Sequence, residues 1–172
     1  TTLKLFLIAI LFGQCAISYT AYKKPVNEFI VFHKSKYFLL GNTSNNKITI
    51  ASDFDSITEA KNKIIKDYTV GNHIKTIEID TFQSVYLLNK KKVLVIDSLG
   101  IYTIKSFQPD YVLLRQSPKI NLNRLIDSIH PKYIIADGSN YKSYIEQWET
   151  ICKKRKLPFY QTSKKGAFII KY

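Results

Sequence analysis

Three polar corners follow apolar runs in this chain: Asp97-Ser98 after KKVLVI, Arg115-Gln116-Ser117 after YVLL, and Asp137-Gly138-Ser139-Asn140 after YIIA. Corners at the carboxyl ends of strands are where α/β proteins tend to assemble their chemistry. A carboxylate such as Asp97 in that position can bind a metal if partners converge on it. The same residue types also close turns and cap helices, and Gly138 permits a tight backbone.

The partners that hydrolysis would need are missing from the pattern. His33, His73 and His130 lie in separate segments, and none has a second His or a carboxylate clustered with it in the manner of hydrolytic metal sites. No G-x-S-x-G elbow and no glycine-rich phosphate loop occurs, so nucleophilic serine and nucleotide chemistry have no recognisable scaffold. His130 precedes Pro131 and reads as a loop residue, because a general base requires a placed partner. The expectation is no metal, no cofactor and no catalytic residue.

Phosphate contact is the chemistry with the most material. Lys34 with Lys36, Lys90-Lys91-Lys92, Lys153-Lys154-Arg155-Lys156 and Lys164-Lys165 are clusters within a total of 26 Lys and Arg against 13 Asp and Glu, a formal +13. That balance favours an anionic partner such as nucleic acid or an acidic membrane surface. The candidates for DNA contact are Lys90, Lys91, Lys92, Lys153, Lys154, Arg155 and Lys156. The competing reading is solvated turns plus favourable charge at a helix C-terminus. Phe32, Tyr37 and Tyr160 stand near lysines and suit either base stacking or burial.

The elements that must carry these residues follow from periodicity. With 172 residues, 45% of them hydrophobic, the chain has enough apolar material for one sizeable core and hardly enough for two. Leu3 to Tyr22 holds one charge, Lys4, and matches a single bilayer span, so a transmembrane helix is expected over residues 1–22 and one globular domain over 23–172. Met is absent even at position 1, which leads us to expect a fragment or a processed product.

After Pro25, Glu28 to Lys34, Lys36 to Gly41 and Lys47 to Ser52 read as strands, with a turn at Asn42 to Asn46. Asp53 to Ser56 offer caps for a helix through Ile57 to Tyr68. His73 to Asp80, Ser84 to Asp97 with a turn at Asn89 to Lys92, and Ile101 to Phe107 read as further strands. The last third alternates strand and helix, which indicates α/β layering. In its long helix Tyr141, Tyr144, Ile145, Trp148, Ile151 and Cys152 form one apolar face, expected to be core. Cys15 and Cys152 sit in segments of different character, and no disulfide between them is expected.

The order of these motifs resembles the C-terminal region of ComEC-family competence proteins. Pro131 to Ile170 and Pro109 to Asp127 carry the resemblance most specifically, and Glu28 to Gly41 and the apolar N-terminal segment extend it over nearly the whole chain. The resemblance implies a metallo-β-lactamase-like α/β domain, truncated, with mixed sheets covered by helices and preceded by one transmembrane helix. It further implies a place outside the cytoplasmic membrane, beside a channel that takes in a DNA strand. The two lysines after the apolar segment, Lys23 and Lys24, point to the opposite orientation under the positive-inside rule, which counts mainly short loops and is outweighed here by the resemblance.

Many members of that family carry H-x-H-x-D-H, a later Gly-Asp and a His-His-Gly-Ser segment. The first is absent here; Asp97 matches the Gly-Asp carboxylate with Ile96 in the place of glycine; Arg115-Gln116-Ser117-Pro118 falls where His-His-Gly-Ser is expected. What the resemblance implies is a degenerate site at Asp97, Arg115, Gln116 and Ser117, and a non-catalytic part in DNA uptake. The implied partners are DNA without sequence preference, the membrane and the remainder of the channel polypeptide. Two alternatives stay open: an extracytoplasmic metal-dependent nuclease that uses Asp97 with other ligands, and a membrane-tethered scaffold without DNA affinity.

Overall fold

Beyond the N-terminal segment, apolar runs in this chain are short and rich in β-branched residues, which favours strands. The computed structural model describes residues 2–21, 27–53, 62–102 and 107–172. In chain order the elements are α1 (Thr2–Ala21), β1 (Glu28–Val31), β2 (Leu39–Ser44), β3 (Lys47–Ser52), α2 (Lys63–Gly71), β4 (Thr76–Ile79), β5 (Val85–Leu88) and β6 (Lys91–Ile96). There follow β7 (Tyr111–Leu114), α3 (Leu122–Ile129), β8 (Tyr133–Ala136), α4 (Lys142–Lys154), β9 (Phe159–Gln161), α5 (Thr162–Lys165) and β10 (Phe168–Lys171).

The strands make two five-stranded mixed sheets, in the orders β10-β1-β2-β3-β4 and β5-β6-β7-β8-β9. In the first, only β3 and β4 run parallel; in the second, β6 to β9 are parallel and β5 is antiparallel to β6. The sheets face each other across a core that includes Phe29, Val31, Phe38 and Leu40 from one and Val93, Val95, Leu113 and Ile135 from the other. On the outer face of the first sheet Ile30, Leu39, Ile48 and Ile50 pack with Ile65 of α2. On the outer face of the second, Leu94, Val112 and Ile134 pack with Leu125 of α3 and Trp148 of α4. The result is four layers, α/β/β/α. It explains why all of β1 is buried, while edge strand β4 is exposed along its length.

Tyr68 helps to fix α2 on the first sheet, donating its hydroxyl to Glu28 Oε2 at 2.9 Å. Burial, with a smaller contribution from Glu28, pushes that hydroxyl up to about 12.

Several expectations are refined. The turn expected at Asn42 to Asn46 contracts to Asn45 and Asn46, both at positive φ (49° and 63°), because Ser44 pairs with Lys47 and a two-residue hairpin needs left-handed backbone at its two central positions. The helix expected from Ile57 begins at Lys63, where Asn62 Oδ1 accepts the Ile64 N–H at 3.0 Å; residues 54–61 lie outside the described residues. The strand expected over Ile101 to Phe107 falls partly on 103–106, also outside them, and Ile101, Tyr102 and Phe107 are irregular. On α4, Trp148, Ile145 and Cys152 are buried as expected, whereas Tyr141 is exposed because it precedes the first turn of the helix. Both cysteines are free thiols, Cys15 exposed and Cys152 buried.

Residues 1–22 require a correction. Thr2–Ala21 is helical, and every side chain from Lys4 to Tyr19 is exposed. Among the described residues, however, no helix is long and apolar enough to cross a membrane. Lys4, Gln14 and Ser18 interrupt the apolar run of α1.

Candidate functional site

Because β6, β7 and β8 are parallel neighbours in near register, with Ile96 opposite Leu114 and Leu114 opposite Ala136, their three following corners emerge at the same end of the second sheet. Asp97, Arg115-Gln116-Ser117 and Asp137-Gly138-Ser139-Asn140 are thereby brought together. Asp97 is half-buried; its Oδ1 accepts the Leu99 N–H at 3.0 Å and its carbonyl accepts the Gly100 N–H at 2.9 Å, so it closes a turn.

Arg115 is buried, 5% exposed. Its guanidinium pairs with Asp53, which follows β3 in the opposite sheet. The rings of Phe38 and Phe82 both lie 4.4 Å from its Cζ, close enough for cation–π attraction. Asp53 Oδ2 also accepts the Phe38 N–H at 3.2 Å and the Gln116 side-chain amide at 3.4 Å. Residues 54–61, which Asp53 is expected to help cap, lie outside the described residues; among the described ones Arg115 and Gln116 reach Asp53 from the other sheet and Phe38 from its own. A strand-terminal position, directly after Ser52, was the available signal.

Gln116 and Ser117 both adopt positive φ, 55° and 51°, a conformation unfavourable for residues with a Cβ unless surrounding contacts hold it. Those contacts come from the next corner. Gln116 N–H donates to Ser139 Oγ at 2.8 Å, Ser117 N–H donates to Asn140 Oδ1 at 2.8 Å, and Tyr141 N–H donates to Ser117 Oγ at 2.7 Å. Asp137 organises that corner from a fully buried position, with Oδ1 accepting from Ser139 Oγ at 2.6 Å and Asn140 Nδ2 at 2.8 Å. Burial raises its carboxyl to about 7, against the lowering effect of the Ser139 hydrogen bonds and of Arg115.

The first sheet closes over this corner. A Cβ on Gly138 would meet the Lys34 carbonyl oxygen at 2.3 Å, so only glycine fits, and Gly138 O accepts the Lys36 N–H at 2.8 Å. His33 Nδ1 lies 3.1 Å from Thr162 Oγ1. His73 and His130 are elsewhere, following α2 and capping α3. Among the described residues no three His, Cys, Asp or Glu side chains converge as a metal-binding group. What the corner can do is hold a cation of its own, the guanidinium, against a carboxylate, and keep a second carboxyl dry beside it.

The candidate basic residues occupy the other end of the second sheet. Lys90, Lys91 and Lys92 lie at the hairpin where β6 begins. Lys153 and Lys154 end α4, whose chain returns through Arg155 and Lys156 to the start of β9. Since β6 and β9 are parallel and three strand spacings apart, the two clusters share one end at a lateral separation of about 14 Å. Lys90, Lys92, Lys153, Lys154, Arg155 and Lys156 are exposed and Lys91 is half-buried. Acidic neighbours at this end are already paired: Asp110 with Lys132 at 2.8 Å, and Asp127 with Arg155. Lys91 Nζ donates to the Lys171 carbonyl at 2.8 Å, and Lys92 Nζ stands 5.7 Å from the centroid of Phe107.

Comparison with known proteins bears on what this arrangement is for. The family model of the ComEC C-terminal domain matches residues 29–172, which takes in both sheets, the polar corner and the basic end. No curated protein and no solved structure matches significantly. The matched stretch covers most of the chain and every element from β1 onward, and on that ground the chain belongs to the ComEC C-terminal domain family.

Proposed function

We propose that this domain serves competence DNA uptake as a non-catalytic DNA-contacting part, through the basic end of its second sheet. Membership in the ComEC C-terminal domain family implies the role in DNA uptake. One observation carries the finer reading: lysine clusters far apart in sequence converge at one end, where the acidic residues are already engaged by Lys132 and Arg155. Lys90, Lys153, Lys154 and Lys156 make no salt bridge among the described residues, whereas Lys92 stands beside Asp110, which accepts its backbone N–H at 2.9 Å. Free ammonium groups on loops and helix ends bind phosphates as point charges, without reading bases.

The four layers with two mixed sheets support the reading of a degenerate lactamase-like domain, and the guanidinium of Arg115 within the strand-end corner supports loss of hydrolysis. The partners in this reading are DNA, the membrane and the remainder of the channel polypeptide, and its location is the extracytoplasmic side of the cell membrane. The exposed apolar side chains of α1, among them Leu5, Phe12 and Ile17, support contact with one of the last two.

The test is a salt series of DNA binding on the whole chain. Affinity should fall with salt, with log K decreasing by roughly 0.7–0.9 per phosphate neutralised. Replacing Lys90, Lys92, Lys153, Lys154 and Lys156 by Gln should flatten that slope while leaving thermal stability nearly intact, because exposed charges contribute little. No DNA affinity at about 50 mM salt, where the electrostatic contribution is strong, would overturn the reading.

A further inference from the structure

The two oxygens of Asp137 are treated unequally. Oδ1 accepts from Ser139 N–H at 3.1 Å, Ser139 Oγ at 2.6 Å and Asn140 Nδ2 at 2.8 Å. Oδ2 is buried without a hydrogen-bond partner, and so is Nε of Arg115. An acceptor and a donor therefore stand unused in one dry corner, where buried polar atoms are ordinarily satisfied. Ionising Asp137 would leave charge on an oxygen with no donor, which is costly in a buried place. The available cation is already committed to Asp53 across the sheets.

We propose that Asp53 and Asp137 compete for Arg115 and that a proton on Asp137 decides the outcome. With Asp137 protonated, the guanidinium holds Asp53 and ties the two sheets together. When the proton leaves to solvent, the guanidinium turns toward Asp137, Asp53 is released, and the Gln116 side-chain amide loses its contact with Asp53 Oδ2. The turn at Gln116 and Ser117 keeps its shape, because Ser139 and Asn140, which restrain it, donate to Asp137 Oδ1 and hold an ionised carboxylate more firmly. Asp53 in turn holds the Phe38 N–H at 3.2 Å, so its release reaches the start of β2.

The charged and titratable groups facing Asp137 come from three strands. They are Arg115 after β7, Asp53 after β3, and His33 after β1, whose Nδ1 stands 3.0 Å from where a Cβ on Gly138 would be. Burial raises the Asp137 carboxyl to about 7, Asp53 adding to that rise and Arg115 opposing it. The change of state therefore falls near neutrality.

The experiment follows the Asp137 carboxyl by carbon-13 NMR and, in the same samples, hydrogen-exchange protection of the Phe38, Gln116 and Ser117 amides. Between about pH 6 and about pH 8, protection of the Phe38 amide corrected for intrinsic exchange should fall by roughly tenfold, as local opening does when one restraint is lost, while Gln116 and Ser117 keep theirs. Its midpoint should coincide with that of the carboxyl. Asp137→Asn should abolish the response, and His33→Gln should preserve it. Unchanged Phe38 protection across the carboxyl titration, persistence of the response in Asp137→Asn, or its loss in His33→Gln would each overturn the proposal. If Asp137→Asn does not fold, coincidence or divergence of the two midpoints in the unmodified chain decides.

Discussion

Arg115, at the end of β7, forms an ion pair with Asp53, at the end of β3, and so joins the two sheets across a sequence separation of 62 residues. The pair is mostly buried, with side-chain exposures of 6% and 24%. Removing one member of such a pair strands the other charge in a poorly solvated place. Asp53→Ala is expected to destabilise the fold by about 3 kcal/mol. Coupling between Asp53→Ala and Arg115→Met, measured by urea denaturation in a double-mutant cycle, should account for a large share of that loss. Strictly additive effects would mean the pair contributes nothing through its own contact.

Trp148 is 1% exposed and packs between α4 and the outer face of the second sheet. Trp148→Ala should cost roughly 3–5 kcal/mol through lost burial and the cavity left behind. A loss of under about 1 kcal/mol on chemical denaturation would mean that the ring is not part of the core.

Asp137 makes stability depend on pH with a sign opposite to the usual carboxylate. Its folded carboxyl, at about 7, lies above the ordinary 3.8, so over that interval the folded chain binds the proton that the unfolded chain has lost. Stability from this group is complete below the ordinary value and is lost as pH rises through about 7, a change of the order of 4 kcal/mol. Denaturation midpoints at a series of pH values should decline toward neutrality in the unmodified chain and stay level in Asp137→Asn.

Zinc or manganese supplied to the purified chain and then dialysed away should leave no stoichiometric metal behind. A hydrolytic site usually needs several converging side chains, and Asp97 spends its Oδ1 on the Leu99 N–H. Metal retained in proportion to protein, and lost on Asp97→Ala, would restore the nuclease alternative.

The local features of this protein were legible in its sequence wherever the determining forces are local. Strand, turn and helix followed from apolar spacing and capping chemistry, as in β6, β7, β8 and α4, and so did the burial of Trp148. The three polar corners could be named because they end apolar strands, and the resemblance carried by Pro131 to Ile170 pointed to the family that matches residues 29–172. Only the tertiary structure decided what those corners meet. Pairing of β10 with β1, and not with its neighbour in sequence β9, is a long-range choice set by which edge remains open. Asp53 offers itself in the sequence as a helix cap, and nothing local shows that its side chain also meets Arg115 from the other sheet. Likewise Lys90 to Lys92 and Lys153 to Lys156 share an end because a helix running back along a parallel sheet returns the chain to the side where β6 to β9 begin, and residue spacing does not encode that distance. Periodicity reports which face of an element is apolar; which charges end up opposite one another depends on how the layers stack.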